Sequence, residues 1–108
     1  MFDWKLFQDD KLIEEYLNIK VDKNIFFITN EFYFNNDICC LTRKNDDYSF
    51  DINFNKKELT IKLHNNNYEG KIKLVNSTMD KKEDFIRITY QIDKDDPINV
   101  IEISKREG

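Results

Sequence analysis

The sequence predicts an α+β fold, with an N-terminal helix packed on a curved antiparallel sheet of six to eight strands that bends toward a partial barrel. Three observations carry this. From Tyr48 to Leu74 apolar and polar residues alternate through three consecutive runs, broken only by two Asn/Lys-rich gaps. A period of two means strands with one dry and one wet face. Leu12, Ile13, Tyr16 and Leu17 instead recur at the three-and-four spacing of one helical stripe. The remaining apolar runs are rich in β-branched and aromatic residues.

Taken in order, Asp9 or Asp10 is placed to cap the helix, and Glu14 and Glu15 sit near the favourable end of its dipole. The helix should stop near Asn18 to Lys20. Phe2, Trp4, Leu6 and Phe7 form either an earlier turn or a short extended lead. Ile25–Ile28 and Phe32–Phe34 are apolar on both faces, as strands covered by that helix would be. Ile38–Leu41 is a further short run, and Asn45-Asp46-Asp47 a turn cluster. Then come the three alternating strands. Ile86, Ile88, Tyr90 and Ile92 alternate again, and Ile98–Ile103 follows the turn Asp93–Pro97.

Paired residues share a face, so even positions from 48 to 54 must oppose odd positions from 59 to 63. Phe54 opposite Leu59 would set Asp51 against Lys62. Leu63 opposite Tyr68 sets Lys62 against Glu69 and avoids facing Lys62 with Lys71. Asp51, Lys62 and Glu69 then form a charge ladder on the wet face.

With 108 residues the chain reads as a single domain over 1–108, and nine Phe, five Tyr and fourteen Ile supply a core. The net charge is -4, and residues 1–56 hold all of it, with eleven acids against seven bases. That bias favours a basic protein partner and argues against nucleic acid. No apolar run approaches the roughly 20 residues that cross a bilayer, and no signal peptide opens the chain. A cytoplasmic location without membrane attachment is expected. Cys39 and Cys40 are adjacent, and neighbours in a strand point to opposite faces, so both read as free thiols in a reducing compartment. Abundant Asn and Ile with only two Gly and one Pro suggest an AT-rich bacterial, mobile-element or phage source.

Motifs for catalysis are scarce. One histidine, His64, cannot build a multi-histidine zinc site, and Cys39-Cys40 lacks the chelating spacer. Two glycines exclude Gly-rich phosphate loops. Asp93, Asp95 and Asp96 lack the glycine and terminal glutamate of a calcium loop. Asp51 with Glu69-Gly70-Lys71 places an acid on one strand and Glu-x-Lys on a later one. This resembles the PD-(D/E)xK nuclease family, and the resemblance implies carboxylates on a divalent metal, with Glu14 or Glu15 as the helical acid. No proline precedes Asp51, and no helix is expected after the third strand.

The expectation is a non-enzymatic inhibitor that binds a protein, with no cofactor, no metal site and no catalytic residue. An immunity protein against a basic, nuclease-type bacterial toxin, or a phage or mobile-element inhibitor, fits the size and charge. Its partner-binding residues would be Asp9, Asp10, Glu14, Glu15 and Trp4, and the chain would be a monomer or weak dimer. A half-barrel enclosing an apolar ligand among Tyr48, Phe50, Phe54, Tyr68 and Tyr90 is the alternative, and the metal-dependent nuclease a second.

Overall fold

Strand-forming residues govern the chain almost from its start. The structure, a computed structural model, describes residues 1–106. The described chain holds β1 (Phe2–Gln8), β2 (Lys11–Asp22), β3 (Ile25–Thr29), β4 (Phe32–Asn35), β5 (Cys40–Lys44) and β6 (Tyr48–Asn53). It continues with β7 (Glu58–Leu63), β8 (Tyr68–Lys73), β9 (Asn76–Lys82), β10 (Phe85–Gln91) and β11 (Asn99–Lys105). All pair antiparallel in one sheet, ordered β8-β7-β6-β5-β4-β3-β2-β1-β11-β10-β9.

The expected N-terminal helix does not form, and the α+β class falls with it: the described chain is all-β, with eleven strands rather than six to eight. Leu12, Ile13, Tyr16 and Leu17 lie on β2. Two register shifts against β1, between Leu6 and Phe7 and between Phe2 and Trp4, each place one extra residue on β2. These bulges break the alternation and imitate helical spacing. Asp9 and Asp10 are not caps. Both have positive φ (49° and 68°) between the paired Gln8 and Lys11, which makes a two-residue type I′ hairpin turn. Lys23 and Asn24 repeat the device, with φ 49° and 68° between Asp22 and Ile25.

Connectivity forces the sheet to curl. β8 and β9 are its two edges, yet only Leu74 and Val75 separate them in the chain. Eleven strands laid flat would span roughly 48 Å, while that link reaches at most about 11 Å. The result is a curled half-barrel whose edges meet at one corner. There Leu74 N–H donates to Lys57 O (2.8 Å) and Val75 N–H to Gln91 O (3.0 Å).

Inside the curl one apolar row runs Phe26, Phe34, Leu41, Ile52, Leu59 and Ile72 across β3 to β8. Facing it, Tyr16, Trp4, Ile103, Ile86 and Lys81 run across β2 to β9. Aromatic contacts join the halves: Phe2 to Phe26 at 5.0 Å, Trp4 to Phe32 at 5.2 Å and Phe54 to Tyr90 at 5.5 Å between centroids. With no helix to cover them, the outward Phe27 and Tyr33 pack on each other instead, at 5.7 Å.

The expected pairing of β6 with β7 is also corrected. Ile52, not Phe54, opposes Leu59, so Asp51 faces Thr60 and the Asp51–Lys62 rung is absent. Phe54 leaves the ladder to bury its ring between Phe34 and Tyr90. A four-residue loop closes instead, with Asn53 Oδ1 accepting from Lys56 N–H (2.9 Å). Lys62 does face Glu69, as expected. A longer ladder lies on the other half, where Glu15, Lys5, Glu102, Arg87 and Asp80 alternate in sign across five strands.

Candidate functional site

β2 serves both halves of the sheet and is paired fully by neither. Its first part pairs with β1, but only Lys20, Val21 and Asp22 pair with β3. The second bulge, with Asn18 at φ 56°, turns β2 from one half into the other, and Asn18 N–H is held by Asp3 Oδ1 at 3.0 Å. Beyond that point β2 and β3 diverge as a fork. Among the described residues, no strand pairs with Lys11–Ile19 on the side away from β1.

A cleft of about 600 Å³ opens in the fork, lined by Glu15 to Lys20 on one side and Phe27 to Asn30 on the other. A second hollow of about 510 Å³ adjoins it, and Ile19, Lys20, Phe27 and Asn30 border both. Along the unpaired edge Leu12, Ile13 and Leu17 stand 50%, 51% and 50% exposed. An unpaired strand edge bearing apolar side chains is a template for another chain.

The sequence-predicted site residues do not form one surface. Asp9 and Asp10 sit exposed in the β1–β2 turn, where Asp9 exchanges hydrogen bonds with Ile98 (3.0 and 3.1 Å). Glu15 faces outward from β2 and pairs with Lys5 at 3.6 Å. These three flank the apolar edge. Glu14 points inward to Arg43 of β5, at 3.2 Å. Trp4 is 1% exposed in the core, with its Nε1 unpartnered among the described residues.

Glu14 and Arg43 line a small interior chamber of about 60 Å³ with Trp4, Phe32, Phe50 and Tyr90. The guanidinium lies 3.9 Å above the Phe32 ring. Burial pushes the Tyr90 hydroxyl up to about 12; the Arg43 charge opposes the shift and the Glu14 charge adds to it. Small-molecule sites commonly span roughly 300–1,000 Å³, so the chamber has no room for a fatty acid. Of the aromatics expected around such a ligand, Phe54 and Tyr90 are buried in the core, Tyr48 stacks on Phe50, and Tyr68 is exposed.

On the outer face Thr42 Oγ1 donates to Asp51 Oδ1 at 2.6 Å. Lys71 shares a cross-strand row with Asp51 through Thr60, and Glu69 lies two residues along β8. Glu14 is on the opposite face of the sheet, and the helix implied by the nuclease resemblance is absent among the described residues. Among the described residues, no three His, Cys, Asp or Glu side chains cluster as metal ligands would. Burial, then the Asp51 charge, raises the Cys40 thiol, against a lowering bond from Thr42. His64 is exposed, its Nδ1 3.0 Å from Asp46 O. The Asp93–Asp96 turn closes on itself through Asp96 N–H to Asp93 O at 2.9 Å.

No family model, no curated protein and no solved structure matches this chain. None of the described helices is long and apolar enough to cross a membrane, because there are none. Sequence reasoning missed the free edge altogether, since a helix needs no partner strand. The available signal was Leu12-Ile13 followed by Leu17 on a segment opened by Asp-Asp and closed by Lys-Asn, two turn-forming pairs 12 residues apart along β2.

Proposed function

We propose that this chain is a non-enzymatic, cytoplasmic protein-binding inhibitor that docks its partner along the free edge of β2. The partner is a basic protein, and an immunity role against a nuclease-type toxin fits best. One observation carries the reading: Leu12, Ile13 and Leu17 lie exposed on an unpaired strand edge, flanked by Asp9, Asp10 and Glu15. Apolar side chains give such an edge affinity, main-chain groups can add a strand, and surrounding acids steer a cationic partner. From Phe2 to Asp22 the strands and turn carry six acids against three bases. Two bulges and the inward Glu14 hinder indiscriminate pairing between copies.

The test is titration against basic nuclease domains, beginning with any that proves to be encoded next to this gene. Tight binding that weakens with salt and is lost in Leu17→Asp, with the circular dichroism spectrum unchanged, supports the proposal. Binding indifferent to Leu17→Asp and Leu12→Asp, or no binding to any such domain, overturns it.

A further inference from the structure

Lys81 is the one charged residue on the inward row of β9, opposite the buried Ile86. Its side chain leaves the edge strand and crosses to the β4–β5 turn. There Nζ lies 2.9 Å from Cys39 Sγ and 3.0 Å from Asn36 O. The first distance equals a usual N–H···O separation of about 2.9 Å, although sulfur is the larger acceptor. The thiol itself donates to Asn36 O at 3.7 Å. Cys39 is 6% exposed and held at φ 54°, a left-handed conformation that fixes where its sulfur points. Cys39 O also accepts from Phe54 N–H at 2.9 Å, so the turn is anchored on both sides of the sulfur.

An amine held against a sulfur is placed for oxidative capture. We propose that Cys39 and Lys81 are a covalent modification site, joined through an S–N bond when hydrogen peroxide reaches the turn. Peroxide oxidises the thiol to sulfenic acid and is itself reduced to water. The Lys81 ammonium gives one proton to solvent, and its nitrogen lone pair attacks the sulfenic sulfur. The S–O bond breaks, and hydroxide leaves as water with the second proton. Two hydrogen atoms are lost from the protein overall, and a thiol reductant reverses the bond by attacking sulfur. The bond ties the β9 edge strand to the β4–β5 turn, 42 residues away in sequence. It thereby locks the two halves of the curled sheet together without touching the edge of β2.

The experiment is peroxide treatment of the folded Cys40→Ser protein, followed by intact mass and peptide mapping. In that background a disulfide within one chain is impossible. The expected result is a monomer about 2 Da lighter, a joined peptide pair containing Cys39 and Lys81, and recovery of the original mass with dithiothreitol. Thermal unfolding should move up on the order of 10 °C. Lys81→Arg, which keeps the charge but not the nucleophilic amine, should lose the joined peptide. Sulfinic or sulfonic acid at Cys39 without the joined peptide overturns the proposal, as does a joined peptide that persists in Lys81→Arg. Should Cys40→Ser not fold, mapping of the unsubstituted protein decides: a Cys39–Lys81 pair supports the site, and a Cys39–Cys40 disulfide overturns it.

Discussion

Arg43 of β5 and Glu14 of β2 meet inside the curled sheet, 3.2 Å apart, with the guanidinium over Phe32 and both side chains about one third exposed. The inward row that carries Arg43 is otherwise apolar, with Phe32 and Phe50 on either side. Removing one partner leaves a charge facing aromatic rings. Arg43→Ala should cost about 1–2 kcal/mol, less than a fully buried pair because solvent screens the site. Arg43→Met, which keeps the packing on Phe32, should cost less. The double variant Glu14→Gln/Arg43→Met should lose less than the sum of its two single variants, and urea unfolding of the wild type, Glu14→Gln, Arg43→Met and the double variant gives the coupling directly. Independent, additive losses would show that the pair contributes nothing.

Tyr90 makes alkaline stability a readout of the same interior. Its folded value of about 12 lies above its ordinary 10, because burial disfavours the phenolate. The folded state therefore holds this proton more tightly than the unfolded one. The contribution is complete below pH 10 and is lost as pH rises toward about 12, on the order of 2–3 kcal/mol in all. Tyr90→Phe should flatten the stability profile in that window. An unchanged slope between pH 10 and 12 would place the titration elsewhere.

The outer charge ladder predicts a salt-sensitive defect. Lys5 stands between Glu15 and Glu102, and Arg87 closes the next rung at 2.7 Å from Glu102. Lys5→Glu puts three acids side by side across β2, β1 and β11. It should destabilise by about 1 kcal/mol at low ionic strength, and roughly 1 M salt should remove much of the loss. Lys5→Gln should lose less than half as much. Chemical denaturation at the two salt concentrations decides it.

Where alternation was strict, the strands were readable to within one residue of their ends. β6, β7 and β8 lie where Tyr48 to Leu74 placed them, and the Lys62–Glu69 pairing followed from charge. The N-terminal hairpin was not readable, because bulges insert residues that carry no mark in the sequence. Its turn, Asp9-Asp10, lacks the glycine that usually announces a type I′ hairpin. The β6–β7 register was missed for a different reason. Phe54 continues the alternation in sequence, but its ring is worth more against Phe34 and Tyr90 than in the ladder. Of the residues proposed for partner binding, Asp9, Asp10 and Glu15 lie beside the free edge of β2, while the exposed apolar edge itself was read as the buried stripe of a helix.

With no glycine at its tight turns, this chain places ordinary residues in the left-handed region. Lys57, at φ 54° in the β6–β7 loop, is the clearest case. It is exposed, and its carbonyl receives Leu74 N–H, the bond that pins the crossover between the sheet edges. A side chain branching from that backbone costs roughly 1 kcal/mol, and asparagine tolerates the conformation better than lysine. Lys57→Asn should therefore stabilise by a few tenths to about 1 kcal/mol. Lys57→Val, with a β-branched side chain at the same φ, should destabilise by more than that. Because Lys57 anchors the link between β8 and β9, the Val variant should also speed amide exchange at Leu74 and Val75 ahead of the core strands. Equal stability of the Asn and Val variants would show that the loop relaxes out of the left-handed conformation at no cost.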